Sequence, residues 1–285
     1  MELREITVLV DEPEAGDSRL AVAAELAKRV SSDTQYGTPC IIGIGIVGRD
    51  NAALGASTAA HQATDQETLW IPGNELSLAQ LCEQRFRRAT EGLRAEWRVI
   101  GYDALKEMIG YARLTDLVIL GQRSSDPGNR GVSFTPEDVI AEAGAPVLIV
   151  PRSTTLESVG RHVMVAWNGT RESGRALRDS LVLLRNAKTV TVIDVGYDGR
   201  HAAPETRPPD YVARYLARHG ITASIDNEPG SERNIVPVLV KRATELNVDL
   251  LVAGAFHHSS IRQALIGSMT SELIRLITVP LLLSR

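Results

Sequence analysis

Two tandem α/β halves, each a doubly wound sheet of parallel strands with helices on both faces, form the fold class predicted by this sequence of 285 residues. Three observations carry that expectation. Length alone suggests about two domains of roughly 150 residues each. Short runs of Val, Ile and Leu alternate with stretches of helical period, the pattern of right-handed βαβ units. The chain also repeats itself. Thr115–Gly121 parallels Val248–Gly254 at an offset of 133, and Ala145–Pro151 parallels Val279–Ser284 at an offset of 134. Nearly equal offsets mean that a whole domain was duplicated, since a solenoid would repeat at a much shorter period.

The first half opens with Ile6-Thr7-Val8-Leu9-Val10-Asp11, a β-rich run closed by a small polar residue. From Ser18, a candidate cap, Val22, Leu26 and Val30 fall on one helix face. Asn51 to Gly73, rich in Ala, Thr and Gln, has no counterpart in the second half and reads as a mobile loop or a short helix. A polar linker over Arg152 to Gly160 divides a domain at 1–152 from one at 160–285. In the second half, strands are expected at Val163–Ala166, Thr189–Val195, Thr222–Asp226, Leu250–Ala253 and Leu281–Ser284. Helices are expected near Ser173–Arg185, Asp210–Arg218, Asn234–Leu246 and Ser268–Ile277. Thr170 reads as the cap of the first, with Leu177, Leu181 and Leu184 on its inner face. Pro237 falls in the first turn of the third, where a missing N–H costs little.

Composition excludes several function classes. Aromatic residues are only 4% of the chain, so the cores must be aliphatic, as in helix-covered parallel sheets. A net charge of −4 without a dense Lys/Arg tract speaks against a nucleic-acid surface. No apolar stretch reaches the roughly 18 residues of a membrane span, and the opening Met1-Glu2-Leu3-Arg4-Glu5 lacks signal-peptide form. Cys40 and Cys82, without a CxxC pair, indicate neither a disulfide framework nor a zinc site. The expected location is cytoplasmic.

The richest segment closes the chain. The strand Asp249–Ala253 ends at Gly254, a polar loop holding His257-His258-Ser259-Ser260 follows, and Gly267-Ser268 opens a helix before the last strand. Glycine lets a backbone approach a phosphate, and helix-start N–H groups favour an anion. The segment thus points to a phosphorylated ligand at the carboxyl edge of a parallel sheet. Gly254, two residues, His257, nine residues and Gly267-Ser268 resembles the nucleotide motif of the universal stress protein family, in which Gly, two residues, Gly, nine residues and Gly precede Ser or Thr. Here the middle glycine is a histidine.

The resemblance covers nearly the whole chain, strongly in the second half and loosely in the first. It implies two Rossmann-like domains, similar to the adenine nucleotide α-hydrolase group, each with a five-stranded parallel sheet. It also implies that Val147–Val150 and Leu281–Leu283 pair antiparallel within the chain as an intramolecular pseudo-dimer. Two apolar edge strands would otherwise be exposed to aggregation. Further association into a homodimer is left open. The ligand implied is ATP or a related adenine nucleotide, with Asn168, Val195, Gly254, His257, Gly267 and Ser268 as the binding residues. Asn168 stands where the family has an aspartate near adenine and ribose, and Val195 matches a position whose backbone reads adenine.

Each candidate has a plainer reading. Ser268 can cap the last helix without any ligand, and Val195 can be a core valine. His257 either occludes the phosphate path or presents an N–H to it. Adjacent His257 and His258 lack a third ligand at metal spacing. Arg171 and Arg262 can neutralise phosphate or simply be solvated. In the first half, about Ser133 matches Gly267 and Phe134 falls opposite Ser268, while Asp126 would repel a polyphosphate. That half is expected to bind no nucleotide, with Asp126-Pro127-Gly128 as turn residues.

The expected function is a regulatory or interaction module with unidentified protein partners, and not an enzyme. At most it is a slow ATPase, since neither a Walker loop nor a GxSxG nucleophile motif is present. One alternative is a scaffold of the same fold without nucleotide. A remote one is an adenylating enzyme, for which Asn168-Gly169-Thr170 is a thin phosphate-loop match.

Overall fold

A computed structural model describes residues 2–31, 37–46, 78–101, 103–122, 134–152, 158–195, 208–229, 234–255 and 267–285. The first half comprises β1 (Glu5–Leu9), α1 (Pro13–Ser31), β2 (Cys40–Ile46), α2 (Leu78–Ala89), β3 (Ala95–Ile100), α3 (Ala104–Ala112), β4 (Leu117–Gly121), α4 (Pro136–Glu142) and β5 (Val147–Val150). The second comprises β6 (His162–Ala166), α5 (Arg171–Leu184), β7 (Thr189–Val195), α6 (Pro209–Arg218), β8 (Ser224–Glu228), α7 (Ile235–Glu245), β9 (Leu250–Gly254), α8 (Ser268–Leu276) and β10 (Leu281–Ser284).

Among the described residues, the strands form one ten-stranded sheet in the order β3-β2-β1-β4-β5-β10-β9-β6-β7-β8. Within each half all pairings are parallel. The halves meet antiparallel, with Leu282 opposite Leu148, as the resemblance implied. That join is the middle of the sheet, and β5 and β10 are buried along their whole length. Strands covered on both faces need apolar residues at every position, which explains the unbroken Val147–Val150 and Leu281–Leu283 runs.

The two faces carry separate cores. Beneath α1, α2, α5 and α6, one core runs from Ile6 and Val8 through Leu148 and Leu282 to Val192. Beneath α3, α4, α7 and α8, the other runs through Ile149, Leu281 and Leu283. Both cores cross the join, so each half completes the other's burial. At roughly 1.5–3 kcal/mol for each fully buried aliphatic side chain, separation would expose a large favourable term.

The repeated Asp-Leu dipeptide has a structural cause. Asp116 accepts from the backbone N–H groups of Arg4 (2.8 Å) and Glu5 (3.0 Å), where β1 starts. Asp249 does the same for Arg161 (3.0 Å) and His162 (2.8 Å) at the start of β6, and also accepts from Ser158 Oγ at 2.5 Å. A carboxylate thus satisfies donors that the sheet leaves unpaired.

Three local expectations are corrected. Helix α1 begins at Pro13, so Ser18 lies inside it and does not cap it; a proline as first helical residue has its φ set and needs no N–H. Strand β8 begins at Ser224, two residues after the expected Thr222. Gly220 (φ 77°) and the Ile221 N–H bond to Leu216 O still belong to the end of α6. Ser268 is the first helical residue of α8 and Gly267 its cap, with no side-chain capping bond. Asn51 to Gly73 and linker residues 153–157 lie outside the described residues.

Candidate functional site

At the carboxyl edge of the second-half strands, β6, β7 and β9 end beside α7 and α8. The backbone after β6 stays bonded to the sheet through the Trp167 N–H to Ile193 O, 2.8 Å. It then turns sharply at Gly169 (φ 74°) into α5. Asn168 Oδ1 accepts from the Thr170 N–H (3.3 Å) and hydroxyl (2.8 Å). Thr170 in turn caps α5 by accepting from the Ser173 N–H at 3.3 Å. Only the amide oxygen can meet a backbone N–H, so this bond fixes the side chain's orientation and turns its NH2 outward as a donor.

Ile193 and Val195 lie on the pocket face of β7. By strand alternation, Asp194 lies on the opposite face with Val190 and Val192. Burial raises the Asp194 carboxyl from 3.8 to about 6, because the charged form loses hydration.

Gly254 ends β9 against the first turn of α5. A Cβ there would stand 2.5 Å from the Ser173 backbone N and 2.6 Å from Glu172 C. Only glycine lets the helix seat so close to the strand, a packing use that the motif alone does not disclose. At α8, Gly267 is extended (φ −63°, ψ 151°) and its carbonyl accepts from the Thr270 and Ser271 N–H groups.

These elements enclose a cavity of about 70 Å³ lined by Ala166, Trp167, Asn168, Val195, Gly254 and Thr270, with Ile235, Val236, Leu239, Met269 and Leu273 as its aliphatic walls. A single water needs roughly 10–15 Å³ by this measure, so the space takes several waters or part of a flat ring, and larger groups must extend through its mouth. Among the described residues, no lining side chain is charged. The donor set is therefore suited to an apolar ring contacted by an amide, beside a helix start whose first N–H groups lack helical acceptors.

Of the expected site residues, Asn168, Val195 and Gly254 line this cavity together. Gly267 and Ser268 stand at the start of the helix that supplies Met269, Thr270 and Leu273 to it. His257, His258 and Arg262 lie outside the described residues. Trp167, Met269 and Thr270 were missed by motif reasoning. Their signals were adjacency to Asn168 and to Gly267-Ser268, and nothing in the spacing told wall from core.

At the corresponding edge of the first half stands an ion pair. Asp11, matching Asn168, pairs with the buried Arg19 at 2.5 Å. The Arg19 guanidinium lies over Gly121, the counterpart of Gly254, where a Cβ would stand 3.3 Å from Arg19 Cζ. Helix α4 starts at Pro136, capped by Thr135 in a reciprocal box with Asp138. Phe134, which the sequence offset sets opposite Ser268, packs on the apolar core, and by helix starts it is Pro136 that corresponds to Ser268. Ser133 and the turn expected at Asp126–Gly128 lie outside the described residues.

Among the described residues, no helix is long and apolar enough to cross a membrane, and no group of three or more His, Cys, Asp or Glu could hold a metal ion.

Comparisons with known proteins fit this geometry. The sequence model of the universal stress protein family matches residues 160–285. No curated protein matches the chain. Among solved structures, a universal stress protein from Archaeoglobus fulgidus DSM 4304 is similar over 100% of this chain and 99% of its own, at 16% identity and a TM-score of 0.69. A functionally unknown protein from Pseudomonas aeruginosa PAO1 is similar over 99% of this chain and 92% of its own, at 16% identity and a TM-score of 0.58. The cytoplasmic domain of a prokaryotic cation chloride cotransporter covers 99% and 95%, at 11% identity and a TM-score of 0.51. The second half, residues 160–285, belongs to the universal stress protein family, and the whole chain has the fold of two such domains in tandem.

Proposed function

We propose that the domain at 160–285 binds one adenine nucleotide, ATP or a relative, and that the chain acts in the cytoplasm as a regulatory module for a protein partner. The domain at 1–152 serves as its structural mate and takes no nucleotide. One observation carries the reading: an uncharged, mostly aliphatic cavity adjoins the start of α8 at the carboxyl edge of the sheet. The cavity suits one edge of a purine ring, Asn168 offers it an amide, and the α8 start suits phosphate. Hydrolysis would be slow, because among the described residues none that lines the cavity is an acid, a base or a cation.

Gly254 favours a second reading, a scaffold without nucleotide, since its missing Cβ is already accounted for by the contact with α5. Denaturing the purified protein, identifying any released nucleotide and titrating ATP, ADP and AMP by calorimetry decides between them. Gly267→Val should abolish binding in a folded protein, because the extended Gly267 backbone accepts any residue while a branched side chain would stand in the phosphate path. Absence of nucleotide and of binding heat would leave the scaffold.

A further inference from the structure

Helix α8 forms a wall of the second-half cavity and opens at Gly267-Ser268, yet its far end is held by the first half. Gln122, the residue after β4, points its Nε2 at three carbonyls there: Ile274 O at 2.8 Å, Arg275 O at 3.1 Å and Ile277 O at 3.2 Å. An oxygen would be repelled by three carbonyls, so the amide can only be donating. The last carbonyls of a helix have no partner of their own, and many helices supply one through a left-handed glycine. Helix α8 does not: its C-cap, Ile277, is extended (φ −63°, ψ 145°) and leads directly to β10. The matching helix α4 ends in Gly144 at φ 75°.

Gln122 is itself fixed. Its N–H donates to Val150 O at 2.8 Å, which ties it to the β4–β5 edge beside the join. The contact is reciprocated, for Arg285 of the second half donates to Ala141 O of α4 at 2.7 Å.

We propose that Gln122 is a positioning residue for the second-half site, setting α8 and through it the cavity wall and the helix start. The nucleotide-free half thereby controls affinity in the other half, and by linkage a bound ligand in the second half steadies the first. The ligand part of this proposal rests on the function proposed above. Helix α8 is only nine residues long; a helix so short is ordered by its contacts, and loosening one end loosens the other.

The test compares Gln122→Leu, which keeps the bulk and loses the donors, with Gln122→Lys, whose ammonium also suits a helix C-terminus. In the ligand-free protein, amide exchange at Thr270 and Ser271 should quicken about fivefold in Gln122→Leu, roughly the loss of one cap, and stay near wild type in Gln122→Lys. ADP affinity, measured by calorimetry, should fall by about fivefold or more in the leucine variant and be retained in the lysine variant. A cap with only local effect would speed exchange at Ile277, leave Thr270 and Ser271 unchanged and leave affinity unaltered; that result overturns the proposal, whatever happens to Tm. If the wild-type protein binds no adenine nucleotide, the nucleotide reading fails by itself. Exchange at Thr270 and Ser271 then decides whether Gln122 positions α8.

Discussion

Gly254 shows how a glycine in a binding motif can have a packing cause of its own. It sits at the first position of the motif spacing, yet the backbone that a Cβ there would meet, at 2.5 Å, belongs to α5. Gly254→Ala should therefore destabilise the fold by about 1–3 kcal/mol through overpacking, read as a lower urea midpoint, with or without nucleotide present. An unchanged midpoint would mean that α5 shifts freely. Asp194 makes a second case, one invisible in sequence because nothing there marks a buried face. Its carboxyl is raised to about 6 by burial. Between pH 4 and 6 the folded protein holds a proton that the unfolded chain has released, so stability falls as pH rises. Asp194→Asn should raise the urea midpoint at pH 7, with the gain shrinking toward pH 4. Equal gains at both pH values would remove titration as the cause.

At the scale of elements, periodicity told most of the story. The buried Val22, Leu26 and Val30 face of α1 and the Leu177, Leu181 and Leu184 face of α5 lie where their spacing put them. Element ends were less legible, since they depend on which residue satisfies the free N–H groups. Ser18 resembles a cap but Pro13 starts its helix, and Ser268 resembles a cap but Gly267 holds that place. The motif put Gly254 and Gly267-Ser268 at one sheet edge, and the resemblance added Asn168. It was silent on the walls, because Trp167 and Met269 have no polar chemistry to mark them. Ser268→Ala separates cap from ligand contact. With no capping bond to lose, stability should stay within about 0.5 kcal/mol of wild type, while affinity for ATP drops severalfold if the hydroxyl meets phosphate. Unchanged affinity would take the hydroxyl out of the site.

For the molecule as a whole, the decisive contact is the β5–β10 pairing, with both cores running through it. The duplication was plain from the offsets, but that each half completes the other's core was not, because residue spacing carries no information about which faces meet. The halves should consequently unfold as one unit. Variants that keep Trp97 as the only tryptophan report on the first half, and those that keep Trp167 report on the second. Their fluorescence midpoints in urea should coincide, and two separate midpoints would show autonomous domains.

Holding β5 and β10 in a single chain also changes what selection can do. Where two identical copies must meet, one gene writes both surfaces and dilution can part them. A tether removes the dilution and makes the mate's local concentration effectively permanent. It also frees the two copies to diverge: Asp11 and Arg19 pair at one edge, while Asn168 and a cavity with no charged side chain among its described lining residues stand at the other. If the proposed nucleotide binds at that cavity alone, saturation should follow a simple hyperbola, a graded response in place of a cooperative one.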